Sequence, residues 1–296
     1  MPDEAASDDR SRMQALVTVC VLAVASIAIA LLGATPARVS TTELMGDARN
    51  PGDAAFVASH RGDSASAPEN TLPAIEKAIA GGFPYVEVDV ALTADGHAVL
   101  MHDRTVKRTT NGVGAVADLT LAQIRALDAG SWFDPSFAGT PVPTLGEFLD
   151  VLADSHAKGL IELKGEWDAA GAERLAADIA ARGLEHHVAV ASFDARTLAH
   201  LSAASPVIHR LAIFKVVPDD VVAAARTMGV GGILADRRTI AERPEVVDEL
   251  HEQGMRVVVY TLNEDVQWLE ATDLGVDGIV TDDPGSLYAW QAGASR

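Results

Sequence analysis

From residue 55 onward the chain alternates short apolar runs with longer segments in which apolar positions recur every three to four residues. The runs 55–59, 85–91, 159–163, 187–192, 207–214, 231–235, 256–261 and 277–281 predict strands. Segments 71–80, 169–182, 194–204, 219–228, 244–252 and 264–274 predict amphipathic helices between them. Strands that alternate with helices build a parallel sheet, and eight such strands predict a closed (β/α)8 TIM barrel over residues 55–290. Asp95-Gly96 is a hairpin signal, so residues 97–101 are expected to fold back beside 85–91 and bring His102 near Asp89. Segment 103–143 is long for a plain connection and predicts a small cap over the barrel mouth.

A different pattern precedes the barrel. Residues 13–37 carry no charge and are flanked by Arg10 and Arg12 before and Arg38 after. A helix over this stretch is long enough to cross most of a hydrocarbon core of about 30 Å. It predicts a signal anchor or a secretory signal over residues 1–37, with Thr35-Pro36-Ala37 as a small-residue cleavage site. The leading arginines favour a cytoplasmic N-terminus, which would leave the rest of the chain outside the cytoplasm, anchored in the membrane or secreted. Residues 38–54, rich in Ala, Thr, Gly, Asp and Pro, read as a linker. The single cysteine, Cys20, lies in the apolar stretch and leaves no disulfide for the barrel. With 48% hydrophobic residues the 296-residue chain has ample core. A formal net charge of -19 argues against a nucleic-acid partner, which would call for an excess of Lys and Arg.

Four strand ends carry groups that an apolar strand should not. They are His60-Arg61-Gly62, Glu87-Val88-Asp89, His102-Asp103 and Glu162-Leu163-Lys164. Alternation along a strand puts Glu87 and Asp89 on one face and Val86, Val88 and Val90 on the other, and Glu162 and Lys164 repeat the arrangement. Buried unpaired, such groups would cost several kcal/mol each, so their convergence predicts an active site. Ser192-Phe193, Tyr260 with Asn263, and Asp282 fall at further strand ends, where barrel enzymes carry their chemistry. Glu87, Asp89 and Glu162 form an oxygen-rich set suited to Ca²⁺ or Mg²⁺. Such a cation polarises a phosphoryl oxygen, Arg61 and Lys164 can hold a phosphate's charge, and His60 and His102 supply an acid and a base near neutrality. Positive charge nearby should keep one of the two imidazoles neutral.

The motifs HRGDSASAPENT at 60–71, EVDVALTADGHAVLMHDRTVKRTTNGVG at 87–114, LDAGSWF at 127–133, PVPTLGEFL at 141–149, IELK at 161–164, SFD at 192–194 and GVDGIVTDDP at 275–284 resemble those of the glycerophosphodiester phosphodiesterases. The resemblance runs from about Phe56 to Tyr288. It implies a phosphodiesterase-type TIM barrel that hydrolyses a glycerophosphodiester to an alcohol and sn-glycerol 3-phosphate with a divalent cation. It implies metal ligands at Glu87, Asp89 and Glu162, catalytic histidines at His60 and His102, and phosphate contacts at Arg61 and Lys164. Glu69 and Asn70 look like supporting residues at the metal site. Tyr260 stands where many members carry Trp, and either aromatic would wall a glycerol pocket. A lysophospholipase D-like reaction on membrane lysophospholipids would use the same residues, and the apolar segment would suit it. A sugar-processing barrel would have no need of Arg61, Lys164 and two histidines together.

Overall fold

The computed structural model describes residues 39–294. Eight parallel strands close on themselves: β1 (Phe56–Ser59), β2 (Tyr85–Leu92), β4 (Lys158–Leu163), β5 (Val188–Ser192), β6 (His209–Phe214), β7 (Gly232–Asp236), β8 (Arg256–Tyr260) and β9 (Gly278–Thr281). The ring closes where β1 pairs with both β2 and β9. The ninth strand, β3 (Ala98–Leu100), runs antiparallel to β2 and pairs Val90 with Leu100. Thr93 N–H donates to the His97 carbonyl across the Asp95-Gly96 turn at 2.9 Å, as the turn signal requires.

Helices wrap the outside. They are α2 (Leu72–Ala80), α4 (Leu145–Ala153), α5 (Ala169–Ala180), α6 (Ala195–Ala204), α7 (Val221–Met228), α8 (Arg237–Glu242), α9 (Glu245–His251), α10 (Asp265–Asp273) and α11 (Pro284–Ala294). Their apolar faces meet the outward positions of the strands, among them Val86, Val88, Val90, Ile161 and Leu163, in one continuous core. Helices α4, α8 and α11 were not among the expected segments. For α4 the signal was present: Thr144 and Glu147 form a reciprocal capping box at its start.

The inward positions form a separate, smaller core. Phe56, Ala58, Tyr85, Leu160, Ala191, Ile213, Leu234, Val258 and Val280 fill the barrel, and α1 (Thr41–Met45) plugs its floor with Val39, Leu44 and Met45, all fully buried. Residues 39–46, within the stretch expected as a linker, therefore pack against the barrel floor. The small polar residues of that stretch masked three apolar side chains that the open lower end of a barrel needs. Both Tyr85 Oη and Lys158 Nζ donate to the Leu44 carbonyl, and Arg256 Nη2 donates to the Gly46 carbonyl at 2.7 Å. These contacts satisfy carbonyls that a helix end leaves open.

Segment 103–143, with α3 (Leu121–Arg125), packs Val106, Val116, Ile124, Ala129 and Val142 onto Ala91, Val99 and Met101 of the hairpin. It packs on the face of the hairpin that Glu87 and Asp89 share, and none of its residues is among those that line the main cavity. Its own apolar face finds its partner there. Among the described residues no helix is long and apolar enough to cross a membrane, and the apolar segment 13–37 lies outside them.

Candidate active site

Read upward from the floor, the inward series of each strand turns polar at the same height. Ala58 is followed by His60, Tyr85 by Glu87 and Asp89, Leu160 by Glu162 and Lys164, Val258 by Tyr260, and Val280 by Asp282. Alternation carries each apolar series into the site with no change of face. The register sets Asp89 directly beside Glu162. Together His60, Arg61, Glu87, His102, Glu162, Lys164, Phe193, Lys215, Tyr260 and Thr261 line a cavity of about 470 Å³.

At the base of the cavity, ligand oxygens of Glu87, Asp89 and Glu162 all lie within 4.8 Å of one another, with Glu87 and Asp89 buried. The donor set is all oxygen and all acidic, which fits a hard divalent cation. Burial and the neighbouring Asp89 charge push Glu87 up to about 8, and the same two causes raise Glu162. Three carboxylates held this close call for added positive charge. Asp89 goes the other way: burial opposes its charge, but Lys164 and Arg61 outweigh it and hold the carboxyl below its usual range.

The positive side chains are fixed by that acidity. Lys164 Nζ lies 2.8 Å from Asp89 Oδ1 and also pairs with Glu162. Arg61 Nη1 donates to Glu69 Oε1 at 2.7 Å, and its Nε sits 3.0 Å from Asp89 Oδ2. The Arg61 backbone N–H donates to Glu87 Oε2 at 2.9 Å, an arrangement reached with Arg61 at φ 57. Asn70, at φ 54, donates from Nδ2 to Asp89 Oδ2 at 2.9 Å and accepts from the Asp89 N–H at 3.0 Å. Two non-glycine residues in the left-handed region at one site mark a backbone shaped for the side chains it aims. Gly62 allows the same turn, because a Cβ there would lie 2.6 Å from the Ala74 carbonyl carbon.

The two histidines sit in unlike surroundings. His60 Nδ1 is 2.6 Å from Asp282 Oδ1. Burial disfavours its charge, yet the Asp282 hydrogen bond and the Glu87 charge outweigh burial and raise its pKa. Asp282 itself is held at about 2; burial works against its charge, and the hydrogen bond from His60 overcomes it. Asp282 also accepts from Asn263 Nδ2 at 2.6 Å and from Ser64 Oγ at 3.2 Å. His102 reaches the site because Met101 N–H bonds to the Asp89 carbonyl at 2.9 Å, so the predicted fold-back does bring it beside Asp89. Its pKa is lowered chiefly by burial, and its Nδ1 is 2.8 Å from Asp103 Oδ1.

Two supporting groups escaped the sequence reading. Asp282 was placed at a strand end with no partner assigned, and only the closure of β9 onto β1 puts it against His60. Arg108 was missed. It clamps Glu69 through Nη1 at 2.6 Å and Asp103 through Nε at 2.8 Å, tying the PENT turn to the partner of His102. Its one sequence signal was its place within the 87–114 motif.

Fold and site define a barrel enzyme whose acids, bases and cations converge at the C-terminal ends of its strands. A family model described as the glycerophosphoryl diester phosphodiesterase family matches residues 60–286. The chain is 35% identical over 234 residues, 78% of its length and 96% of the relative's, to a glycerophosphodiester phosphodiesterase of Caldanaerobacter subterraneus subsp. tengcongensis. A Bacillus subtilis glycerophosphodiester phosphodiesterase is 31% identical over 261 residues, covering 81% of this chain and 88% of that one. Among solved structures, an Oleispira antarctica phosphodiesterase in complex with the product sn-glycerol-3-phosphate superposes with a TM-score of 0.72 at 28% identity, covering 79% of this chain and 96% of that chain. The glycerophosphodiester phosphodiesterase of Agrobacterium tumefaciens gives 0.68 at 29% identity over 79% of this chain and 99% of that one. The chain belongs to the glycerophosphoryl diester phosphodiesterase family, and it is a phosphoric diester hydrolase.

Proposed function

We propose that the chain hydrolyses glycerophosphodiesters to an alcohol and sn-glycerol 3-phosphate with a divalent cation, Ca²⁺ or Mg²⁺, held by Glu87, Asp89 and Glu162. The observation that carries this reading is the acidic cluster set between two histidines of opposite bias in one cavity. A cation bound there would supply Lewis-acid polarisation of a phosphoryl oxygen. Arg61 and Lys164 offer N–H donors on the same wall and orient the phosphodiester. His102, biased neutral, takes the proton of the attacking oxygen. His60, biased towards its protonated form, delivers a proton from Nε2 to the leaving alcohol oxygen while Asp282 holds Nδ1. Glu69 and Asn70 keep Arg61 and Asp89 aimed, and Tyr260 walls the glycerol.

A lysophospholipase D-like action on membrane lysophospholipids is the second reading, and the apolar segment 13–37 is what favours it. The same segment supports an extracytoplasmic enzyme, tethered to the membrane or released after cleavage. The test is turnover of glycerophosphocholine, glycerophosphoethanolamine and lysophosphatidylcholine by the full chain, after chelation and with Ca²⁺ or Mg²⁺ restored. The full chain is needed because a protein starting near Asp53 would lose Val39, Leu44 and Met45 from the barrel floor. Glycerol 3-phosphate released only when cation is present supports the proposal, and release in excess chelator rejects it.

A further inference from the structure

The cavity holds one cation that the chemistry above does not use. Lys215, just beyond the end of β6, lines the same space as His60, Arg61 and Lys164. Arg61 is committed to Glu69 and Asp89, and Lys164 to Asp89 and Glu162. Among the described residues no carboxylate lies within ion-pairing distance of Lys215, whose Nζ stands 5.6 Å from the centroid of the Phe193 ring. Phe193, at the end of β5, is itself 44% exposed and lines the cavity.

The charges decide what this cation is for. Three carboxylates at the base and the single negative charge of a phosphodiester would be met by a divalent cation, Arg61 and Lys164. Arg108 and His60 have their own acidic partners. Lys215 lines the cavity with no acidic side chain within ion-pairing distance among the described residues, so an anion that enters beside it can pair with its ammonium. In a glycerophosphodiester the glycerol is uncharged, so a second negative charge can sit only on the alcohol.

We infer that Lys215 and Phe193 form a head-group subsite that selects glycerophosphodiesters whose alcohol carries an anionic group, a phosphate or a carboxylate, over those with a cationic alcohol. The inference rests on the proposed reaction and names its substrate class. Phe193 steers the ammonium by a cation–π contact and offers an apolar face to the carbon frame of the alcohol. The Lys215 ammonium pairs with the anion, as a compact point charge suited to either group.

The test compares glycerophosphoinositol 4-phosphate with glycerophosphoinositol, which differ by the one phosphate group on the alcohol. For the wild type with saturating divalent cation, kcat/KM should favour the phosphorylated diester. Lys215→Met should reduce that ratio about fivefold, the upper range for one solvent-exposed charge pair, with the change carried by KM and diminished by added salt. Lys215→Glu should reduce it further and raise the relative kcat/KM for glycerophosphocholine. A ratio equal in wild type and both variants overturns the subsite, as does an equal loss on both diesters. Calorimetric binding of the two diesters to the His60→Ala/His102→Ala protein, with and without Lys215→Met, reads the same selectivity without turnover. If the wild type hydrolyses neither diester, the proposed reaction fails. Binding selectivity lost with Lys215→Met still upholds the subsite in that case, and selectivity unaffected by it rejects the subsite.

Discussion

Replacing Asp282 by Asn tests the division of labour between the histidines most directly. The wild-type contact is short, 2.6 Å, with His60 15% and Asp282 42% exposed along their side chains. Asn keeps the shape and the possibility of a neutral hydrogen bond but removes the charge that favours imidazolium. Charge-assisted hydrogen bonds contribute about 1.5–3 kcal/mol, and the exposure of Asp282 puts this one at the low end. About 1.5 kcal/mol corresponds to roughly a tenfold fall in the protonated fraction of His60 wherever that fraction limits the rate. The sign follows from the direction of the shift. Asp282 raises the pKa of His60, so the wild type keeps its acid protonated to higher pH. In Asp282→Asn the alkaline limb of kcat/KM should therefore move to lower pH.

The assay is the pH profile of kcat/KM at saturating divalent cation on glycerophosphocholine, whose alcohol needs a proton as it leaves, and on a nitrophenyl phosphodiester, whose phenol does not. The variant should lose about tenfold above neutrality on the first substrate and much less on the second. His60→Ala should show the same dependence on leaving group with a larger loss, within the roughly 10²–10⁴ span of a missing proton-transfer partner. His102→Ala should lose comparably on both substrates, since every attack needs its base. An alkaline limb that does not move, or an equal loss on both substrates for Asp282→Asn and His60→Ala, refutes the assignment of His60 as the acid.

Other outcomes follow from the same geometry. Glu162→Ala should lower turnover by at least about a hundredfold and weaken the cation dependence read by titrating Ca²⁺ or Mg²⁺ into chelated protein; wild-type turnover would remove Glu162 from the ligand set. Arg108→Met removes four hydrogen bonds of 2.6 to 3.0 Å to Glu69 and Asp103. Because Arg108 is 44% exposed, it should change stability by under about 1 kcal/mol while reducing kcat/KM about tenfold, as measured by denaturant titration beside kinetics. Leu44→Ala, at a fully buried floor position, should cost about 2–5 kcal/mol by denaturant titration without altering the KM of the residual folded enzyme. For location, a reporter fused after Arg38 should be active outside the cytoplasm, and activity confined to the cytoplasm would reject the export reading.

The barrel was legible in the sequence because its two periods do not interfere. The outward strand positions are continuously apolar, and each helix between strands repeats at its own spacing. Short elements were less visible. Helix α1 has only Leu44 and Met45 as its buried residues, too few for periodicity to register, and the core that it joins draws on strands spread from Phe56 to Val280. Segment 103–143 was legible only in part for a related reason. Length alone says that it folds into something, while the surface on which it folds depends on Ala91 and Val99, on the hairpin face that Asp89 shares.

The candidate site divides along the same line. Glu87 with Asp89, and Glu162 with Lys164, were readable because each pair lies within one strand, where alternation alone fixes the shared face. Asp282 and Arg108 act across 222 and 39 positions of sequence, on His60 and Glu69, and no local pattern records such distances. Yet these two non-local groups shape the surroundings of both histidines. Asp282 separates the bias of His60 from that of His102, and Arg108 holds Asp103 ionised beside His102, well below the usual carboxylate range. Two histidines with the same reference pKa are biased in opposite directions, His60 upward by Asp282 and Glu87 against its burial, His102 downward chiefly by burial. The strand motifs can therefore name the candidate groups, and in the proposed reaction the ring closure of β9 onto β1 is what sets His60 apart as the acid.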